Sequence, residues 1–579
     1  MREPSLPIRL VLVVAGAVAM VAAFPPANQW WAAPVSVGLL SLATMGARVG
    51  QAAMLGTAAG AIFFGSSLAW LEVIGWDAYL LTIGLSAGWW ALLLAAQAVL
   101  QRQPLWPLSV PLAWVVVEAA RGSLPLGGFP WLRLAHSQVD GPASPALSVV
   151  GMAGVTFLVA LAGTGVAWGL LNAEWTSPRR VAVRGIAAAS LAVAAVAMAS
   201  AFGSAQGTPR GGPTARVAVV QGGASEVSEE GGARIRDVLR RHVRLTLDLA
   251  ASGDPVDLVV WPESASDVDP FADADAARAI SSTARSVGAP ILVGATVASS
   301  ANPGRLENTA LVWDPDFGPG DRYVKRNLVP FGEYVPFRSV LQPLIGRLDA
   351  VPRDFVPGPG PALLRAGDLA VASVLCFEVA FDSTVREAMQ LPAQLLVVQS
   401  NNATYTGSAE PVQQLLITRA RAIEHGIYVA VASTTGVSAI IAPDGSVLNS
   451  LDDGEAGTLV ADVVLRTDQT AATRWGGWLE AFLVVIGLLA IVLSASRVAW
   501  QSNGRGTAGV SRGLGNGLAG LLGGRGPGSR QPSHPLPGRL LDESPHQPRD
   551  AQGPEQQEGD RGGVRQSTVD AQRPEDCPP

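Results

Sequence analysis

The sequence predicts a polytopic α-helical membrane domain of about eight spans joined to a water-exposed α/β domain. Of its 579 residues, 49% are hydrophobic and only 15% are charged, and the mean hydropathy is +0.30. These values are typical of an integral membrane protein that carries a polar domain. Long apolar stretches lie before residue 203 and again around residues 478–497, and between them short apolar runs alternate with helical patterns. Such alternation is typical of layered α/β structure.

Eight stretches are long enough to cross a bilayer, which takes about 20 apolar residues. They are residues 8–24, 30–47, 50–73, 78–100, 105–120, 146–172, 185–203 and 478–497. We interpret the first as a retained span, because no small-residue cleavage site followed by a polar mature start appears after it. The fifth is the least regular, since Pro107 and Pro111 interrupt its start.

The arginines around these stretches predict the orientation of the chain. If the spans alternate, one side receives Arg2, Arg9, Arg48, Arg102, Arg179, Arg180, Arg184 and Arg497. Cytoplasmic loops carry an excess of basic residues, so this side and both termini are expected in the cytoplasm. Residues 205–475 are then expected on the outer face. Arg121 and Arg133 are the exceptions, because they fall in an outer loop.

The polar region is expected to form one layered α/β domain. Runs of apolar and β-branched residues predict strands, and apolar residues at helical spacing predict helices. The predicted strands are residues 215–221, 256–261, 290–295, 309–313, 369–376, 394–399, 428–432, 437–442 and 446–449, and the predicted helices are residues 233–250, 276–287 and 412–424. Functional residues of such folds lie at strand ends.

Four segments follow from these patterns. We predict a seven-span membrane domain at residues 1–204, an outer domain at 205–475, the eighth span at 476–500 and a cytoplasmic tail at 501–579. The tail is rich in Gly, Pro, Gln and Arg and almost free of aromatic or β-branched residues. Such a composition predicts a disordered segment.

Cys376 is the residue that most clearly indicates chemistry. It is one of two cysteines, and in the predicted topology Cys577 lies across the membrane from it, so the two cannot pair within one chain. Cys376 ends an apolar run, as Glu263 does, and Lys325 follows a third strand-like segment. A carboxylate can take a thiol proton, the sulfur can attack a carbonyl carbon, and an ammonium can stabilise the oxyanion.

Each of these residues also has a plain structural interpretation. A free cysteine is often a small buried hydrophobe, Glu263 is compatible with a solvated turn, and a single lysine such as Lys325 is most often an exposed strand-edge charge. Their order along the chain, with separations of 62 and 51 residues in one α/β domain, favours a catalytic triad. Glu378, two residues after Cys376, argues against a purely apolar site.

Around these residues the chain resembles the nitrilase superfamily, whose αββα sandwich carries a Glu-Lys-Cys triad. The resemblance lies in Val219-Val-Gln-Gly222, Lys325-Arg-Asn-Leu-Val-Pro-Phe-Gly-Glu-Tyr-Val-Pro336, Cys376-Phe-Glu378 and Ser400-Asn-Asn402. In the membrane part, Trp114-Val-Val-Val-Glu-Ala-Ala-Arg121 and Gly128-Phe-Pro-Trp-Leu-Arg-Leu-Ala-His-Ser-Gln138 resemble the apolipoprotein N-acyltransferase family. The resemblance covers about residues 5–500 and leaves the tail outside it.

This resemblance implies a fold and the roles of five residues. It implies eight spans, with an extracytoplasmic nitrilase-like αββα sandwich between spans seven and eight. Position by position, Glu263 would be the general base, Lys325 the cation that stabilises the oxyanion, and Cys376 the nucleophile that becomes acylated. Glu333 and Glu378 match further acidic positions of the family's active site.

The resemblance also implies an activity. A fatty acyl chain would pass from a phospholipid through a Cys376 thioester to the α-amino group of the lipidated N-terminal cysteine of a lipoprotein, at a bacterial plasma membrane. The implied partners are the phospholipid donor, the diacylglyceryl-modified apolipoprotein and the membrane, with no nucleic acid and no cofactor, and the protein would be a monomer. One departure is visible. The family often has Ser-Asn-Asp-Ala-Trp-Phe-Gly where this chain reads Ser400-Asn-Asn-Ala-Thr-Tyr-Thr-Gly407, so substrate contacts there are expected to differ.

Two other functions fit parts of the sequence. A membrane-tethered amidase of the nitrilase type would use the same triad with water as acceptor, but tethering needs only one span. A transporter or lipid-binding protein would carry several ionisable residues in its spans, where the sequence offers Glu118, which we expect to pair with Arg121 one helical turn on. A zinc site is not expected, because the outer domain has only His242 and His425 and no second cysteine nearby.

Overall fold

The computed structural model describes residues 4–171, 200, 201, 203, 211–223 and 236–521. Residues 1–507 form one structural unit and residues 508–579 a second. Within the first unit, a group of helices precedes an α/β part, and a final helix follows it. This order agrees with the order of apolar and polar regions along the sequence.

Between residues 4 and 171 the chain contains six α-helices. They are α1 (Leu6–Ala22), α2 (Ala32–Thr44), α3 (Val49–Ser67), α4 (Trp76–Leu100), α5 (Trp106–Arg121) and α6 (Leu147–Leu171). By length and composition, α3, α4, Ser144–Leu171 and Ala471–Trp500 can cross a membrane, and α1 and α2 are shorter apolar helices. Helices coincide with the first six predicted spans and with the eighth. The seventh, residues 185–203, lies almost wholly outside the described residues.

Two of these helices contain residues that usually interrupt helices. In α5, Pro107 occupies the first turn, where its missing N–H has no helical partner in any case, and Pro111 follows inside the helix. Helix α6 is bent at Gly151, whose φ of 64° and ψ of −172° are not helical and favour glycine. Just after the bend, Met152 N donates to Glu424 Oε1 at 3.4 Å. The bend therefore brings α6 into contact with the α/β part.

The α/β part is a sandwich of two six-stranded sheets. Its strands are β1 (Thr214–Gln221), β2 (Leu258–Val260), β3 (Ile291–Ala298), β4 (Leu306–Asp314), β5 (Gly318–Val324), β6 (Leu363–Ala366), β7 (Leu369–Leu375), β8 (Leu395–Ser400), β9 (Val429–Ser433), β10 (Ser438–Ile441), β11 (Val447–Leu451) and β12 (Gly457–Val464). The sheets have the orders β12-β1-β2-β3-β4-β5 and β11-β10-β9-β8-β7-β6. In each sheet three central strands are parallel, namely β1-β2-β3 and β7-β8-β9, and the other neighbours pair antiparallel.

Helices cover the outer face of each sheet, which gives the predicted αββα arrangement. The helices of this part are α7 (Asp237–Ser252), α8 (Ala274–Val287), the short α9 (Arg338–Leu341), α10 (Asp382–Gln390) and α11 (Glu410–His425), and α12 (Ala471–Leu521) follows. Apolar residues of α7 and α8 pack on the first sheet, and those of α10 and α11 pack on the second. Between the sheets, residues such as Val219 and Val397 form a third core.

The core outside the second sheet continues into the membrane helices. Val398 of β8 and Leu416 of α11 belong to the same cluster of buried apolar residues as Trp114 of α5 and Leu134 of the α5–α6 loop. Burial of apolar surface is the main stabilising contribution in folding. The second sheet, α11 and the membrane helices are therefore held together by one shared core.

The strands and helices predicted in the α/β part are present within a few residues of the predicted bounds. The structure adds β5, β6, β12, α9 and α10. Strand β5 is mostly exposed and contains two glycines and a proline, so it lacks an apolar run and is defined by its pairing with β4. The last helix continues to Leu521, beyond residue 500 where we placed the start of the tail, since extending a helix costs less than starting one. Residues 522–579 lie outside the described residues.

Candidate active site

Cys376 stands at the turn that ends β7. All seven residues of β7 are buried, whereas Cys376 is partly exposed and begins a 3-10 turn over Cys376–Ala380. Its φ is 52°, in the left-handed region that residues with a side chain rarely adopt. Such a conformation persists only where the surroundings hold it. Here Leu375 N donates across the turn to Glu378 Oε2 at 2.8 Å.

Glu378 ties this turn to the segment that carries Lys325. Its Oε1 accepts hydrogen bonds from Arg326 N at 2.6 Å, Asn327 N at 3.0 Å and the Tyr323 hydroxyl at 2.9 Å. The side chain is fully buried, and burial raises the pKa of Glu378 although the backbone donors favour the carboxylate. Glu378 therefore connects two segments of the site by hydrogen bonds.

Glu263, Lys325 and Glu333 form one buried ion cluster. Lys325 Nζ lies 2.9 Å from Glu263 Oε1 and 3.0 Å from Glu333 Oε1. Asn308 Nδ2 donates to the same two oxygens at 2.6 and 2.8 Å. Glu263 Oε2 accepts from Asn401 N at 2.9 Å. Since Lys325 is only 1% exposed, its charge is neutralised by these carboxylates and not by water.

The charges of this cluster set the proton affinities of Lys325 and Cys376. Burial alone would lower the pKa of Lys325, but the carboxylates of Glu263 and Glu333 outweigh it and hold that pKa well above its usual range. Burial raises the pKa of the Cys376 thiol, Glu263 raises it further, and Lys325 works in the opposite direction. At neutral pH the lysine is therefore an ammonium and the cysteine a thiol. A base has to take the thiol proton as the sulfur attacks.

The structure brings all five predicted site residues together at one end of the sandwich. Glu263, Lys325 and Glu333 are in direct contact, and Cys376 and Glu378 lie on the adjacent turn, where their charges act on Lys325. The sequence analysis missed Asn308, although a signal existed, because this polar residue lies within the apolar strand β4 and is 4% exposed. Across the described ranges, no group of three or more His, Cys, Asp or Glu side chains is placed to hold a metal ion.

A further polar group, which the sequence analysis also missed, contacts Cys376 from α11. Gln414 Nε2 lies 3.6 Å from Cys376 Sγ. Asn402 Nδ2 donates to Gln414 Oε1 at 3.2 Å and to Glu410 Oε2 at 2.6 Å, while Asn402 Oδ1 accepts from the Ser433 hydroxyl at 2.6 Å. Asn402 is the position where the family pattern often has an acid. Here the acid beside it is Glu410, eight residues later in the chain.

Aromatic side chains from the two parts of the molecule meet next to the cysteine turn. Phe377 stacks on Trp131 of the α5–α6 loop, with ring centroids 6.2 Å apart. Trp70, just before α4, packs edge-on against Tyr405 at 5.2 Å. Both indole N–H groups donate to Gln413 Oε1, at 3.1 and 2.8 Å. These residues form an aromatic wall between Cys376 and the membrane helices.

Glu118 pairs with Arg133 and not with Arg121, which corrects the predicted pairing. Arg133 Nε lies 3.3 Å from Glu118 Oε2, and the same guanidinium contacts Asp382 and, at 3.5 Å, Glu480 Oε1. Arg121 instead donates to two backbone carbonyls of the α5–α6 loop at 2.7 and 2.8 Å. Helical spacing suggests only neighbours on the same helix, whereas this loop folds back and presents both carbonyl groups and Arg133.

The fold and this cluster define a membrane protein that carries a domain of the carbon–nitrogen hydrolase class. The Carbon-nitrogen hydrolase family model matches residues 216–472, and that of the Apolipoprotein N-acyltransferase N-terminal domain matches residues 16–165. Together these matches cover the α/β part and the first six helices. The chain belongs to the apolipoprotein N-acyltransferase family, a branch of the nitrilase superfamily.

Three relatives agree with this assignment. The apolipoprotein N-acyltransferase of Mycolicibacterium smegmatis is 35% identical over 84% of this chain and 85% of its own length. Those of Azotobacter vinelandii and Photobacterium profundum are 30% and 28% identical, covering 84% and 81% of this chain and 94% and 92% of their own. Among solved structures, an amidase from Nesterenkonia sp. is 22% identical over 45% of this chain and 93% of its own, with a TM-score of 0.33.

Proposed function

We propose that this protein moves a fatty acyl chain from a membrane phospholipid to the α-amino group of the lipidated N-terminal cysteine of lipoproteins. The observation that carries the proposal is the buried contact of Lys325 with Glu263 beside Cys376, in a chain of the apolipoprotein N-acyltransferase family. A thiol, a base and a fixed ammonium are the groups that acyl transfer through a thioester needs. The acceptor is proposed from the activity named for the similar proteins.

In the first half-reaction, Glu263 takes the thiol proton as Cys376 Sγ attacks the ester carbonyl carbon of the phospholipid. The Lys325 ammonium stabilises the negative charge that develops on the carbonyl oxygen. The ester C–O bond then breaks, the proton on Glu263 passes to the departing alkoxide, and a lysophospholipid leaves. A fatty acyl thioester remains on Cys376.

In the second half-reaction, the acceptor amine attacks the thioester carbonyl carbon. The C–N bond forms, the C–S bond breaks, and the sulfur recovers a proton from the attacking nitrogen through Glu263. The Lys325 ammonium again faces the developing oxyanion. The products are an amide on the lipoprotein and the free thiol of Cys376, so the enzyme returns to its starting state.

Glu333 and Glu378 support these steps without exchanging protons with substrate. Glu333 shares Lys325 with Glu263, so the ammonium is held between two carboxylates and cannot swing away. Glu378 braces the cysteine turn against the residues that follow Lys325. Both roles follow from fixed geometry, which lowers the cost of reorganisation during the reaction.

The acyl chain is proposed to lie along the aromatic wall. Phe377 follows the nucleophile directly and stacks on Trp131, and the apolar core behind these residues continues into the membrane helices. A long acyl chain can therefore stay in apolar surroundings while its ester reaches Cys376. Keeping the chain out of water avoids a cost of about 0.8 kcal/mol for each CH₂ group.

The proposed arrangement in the membrane follows from the apolar helices and the arginine pattern. Residues 1–204 contribute seven spans and residues 476–500 the eighth, with the catalytic domain, residues 205–475, on the outer face of a bacterial plasma membrane. Both termini and the tail, residues 501–579, are in the cytoplasm, and the enzyme acts as a monomer. The four long apolar helices and the two shorter ones among the described residues support this membrane location.

The intact mass of the purified protein after incubation with phospholipid vesicles tests the proposal. We expect a mass increase equal to a fatty acyl group on the peptide that contains Cys376. Hydroxylamine should release this acyl group. Addition of a peptide with an S-diacylglyceryl N-terminal cysteine should also remove it. Cys376→Ala should show no increment, and Cys376→Ser should be nearly inactive because a hydroxyl is a weaker nucleophile. An unmodified wild-type protein, or turnover by Cys376→Ala, would refute the covalent mechanism.

A further inference from the structure

Glu410 is an acid of the site that the mechanism above does not use. It is the first residue of α11 and is 3% exposed. Its Oε2 accepts the hydrogen bond from Asn402, whereas its Oε1 accepts none from the residues that the structure describes. A glutamate in the first turn of a helix is favoured by the helix dipole without being buried, and glutamates are rarely buried unless paired. Its burial therefore points to another role.

Asp453, in the turn between β11 and β12, is the acidic neighbour of Glu410. Its Oδ2 accepts from Gly407 N at 2.5 Å, and its Oδ1 is buried with no hydrogen-bond partner in the described part of the chain. Within the same residues, neither carboxylate forms an ion pair. Two carboxylates with open oxygens and no countercharge favour binding of a cation. Glu410 and Asp453 are therefore an acidic pair with no basic partner among the described residues.

Glu410 of this acidic pair is connected to Cys376 through the side-chain amides of Asn402 and Gln414. Asn402 bridges Glu410 and Gln414, and Gln414 Nε2 reaches to 3.6 Å from the sulfur. The charge of Glu410 is also one of the causes that raise the pKa of the Cys376 thiol, after burial and Glu263. A group bound to Glu410 and an acyl group bound to the sulfur are thus neighbours.

Building on the proposed acyl transfer, we propose that Glu410 and Asp453 bind the α-ammonium group of the acceptor lipoprotein and that Glu410 takes one of its protons. An ammonium cannot attack a thioester, because its nitrogen has no free electron pair. Once Glu410 has taken one proton, the neutral amine attacks the acyl carbon, and its second proton goes to the departing sulfur. The balance is an ammonium, a carboxylate and a thioester giving an amide, a carboxylic acid and a thiol.

The proton affinities of the two partners are matched. Burial raises the pKa of Glu410 to about 8, the hydrogen bond from Asn402 opposes this, and the charges of Asp453 and Glu263 add to it. An α-amino group in water titrates at about 7.7–8.0, so proton transfer between them is nearly balanced, as efficient general base catalysis requires. Tyr405 is also within the influence of Glu410, and it stays a neutral phenol because burial, and then Glu410, raise its pKa.

The test separates the two half-reactions in the full-length enzyme. Thioester formation is followed with phospholipid alone, and its aminolysis with an S-diacylglyceryl-cysteine peptide added to the preformed acyl-enzyme. Glu410→Gln keeps the shape and the acceptor for Asn402 but cannot take a proton. Asp444→Asn is the matched control, since it neutralises an exposed acid in a hairpin turn that Asn-Gly forms equally well.

At pH 7 we expect Glu410→Gln to slow aminolysis about 10²-fold more than it slows thioester formation. This size is in line with the loss of a general base. The deficit should shrink above pH 8, where the free peptide amine is already neutral. Asp453→Asn should raise the KM for the peptide more than it lowers kcat. Hydroxylamine, which is uncharged at neutral pH, should cleave the acyl-enzyme of Glu410→Gln as fast as that of the wild type.

Four results would overturn the assignment. Equal loss in both half-reactions, or a matching loss with hydroxylamine, would mean that Glu410 only positions Gln414 through Asn402. A deficit that does not change with pH would exclude proton transfer to Glu410, and undiminished aminolysis would exclude any role in amine capture. A wild-type enzyme that forms no thioester would instead refute the proposed function itself.

Discussion

Asn308 donates its side-chain amide to Glu263 Oε1 at 2.6 Å. The same nitrogen reaches Glu333 Oε1 at 2.8 Å, so one amide joins two carboxylates that repel each other. The orientation of the amide is fixed by chemistry, because its oxygen in that place would face two anions. Asn308 and Lys325 together hold the Glu263 carboxylate in place beside the thiol.

The first prediction concerns this amide. Asn308→Asp places a third carboxylate against Glu263 and Glu333. The single ammonium of Lys325 then faces three negative charges. We expect thioester formation to fall by about 10²-fold or more, comparable to the loss of a catalytic donor. Asn449→Asp is the control, because Asn449 is exposed on β11. Equal activity of the two variants would show that Asn308 does not organise the base.

The second prediction separates the two carboxylates that share Lys325. Glu263→Gln keeps the hydrogen bonds but removes the proposed base, so acyl-Cys376 should form about 10²- to 10⁴-fold more slowly. Glu333→Gln leaves base and nucleophile in place and should give a slower enzyme that still accumulates thioester. The amount of trapped acyl-enzyme under identical lipid conditions measures both. If Glu263→Gln acylates at the wild-type rate while Glu333→Gln is silent, the base is Glu333.

The third prediction uses the pH dependence of Cys376. Burial and Glu263 raise the pKa of its thiol, so alkylation by iodoacetamide should be slow at pH 7. Its rate should rise with pH, with a midpoint above the value of about 8.5 for a free cysteine. Lys325→Met removes the opposing charge and should move the midpoint higher still.

A Cys577→Ala background is needed for this measurement, so that the label reports Cys376 alone. Lys325→Met should also lose about 10²- to 10³-fold in acyl transfer, as expected when a donor to the oxyanion is removed. If the alkylation rate of the wild type has already reached its plateau at pH 7, this result would contradict the raised thiol pKa and favour a resting thiolate.

The fourth prediction concerns topology. The arginine pattern predicts that the end of the last span lies in the cytoplasm and the start of the catalytic domain outside. A reporter that is active only in the cytoplasm should therefore be active when fused after Arg497 and silent when fused near Gly211. The reverse result would put the catalytic domain inside the cell and remove lipoprotein N-acylation as its function.

The sequence predicted the layered α/β part well because its buried strands are continuous apolar runs. Strand β7 is an example, since all seven of its residues are buried. Strand β5 has no such run and is defined by the partner beside it. Pairing between distant segments of the chain leaves no periodic signal, so strands of this kind cannot be predicted from a local pattern.

The same distinction applies to the site. Glu263 and Cys376 end recognisable apolar runs, and Lys325 begins the motif of residues 325–336, so their positions could be predicted from the chain. Asn308 and Glu410 were missed, because their importance arises from contacts across 45 and 8 residues with groups on other elements. For Glu118, the helical spacing suggested Arg121 on the same helix as its partner. The structure pairs it with Arg133, which lies on the loop after α5.

The environment of Arg133 has a consequence for the order of assembly during synthesis. Its three carboxylate partners come from α5, from the start of α10 and from the final helix. A ribosome makes these segments in that sequence, so the guanidinium gains its partners one by one. Glu118 and Asp382 come first and already neutralise the guanidinium, and Glu480 then adds a third carboxylate at 3.5 Å. The last helix, which is made after the catalytic domain, therefore docks against an ion cluster that the earlier segments have already formed.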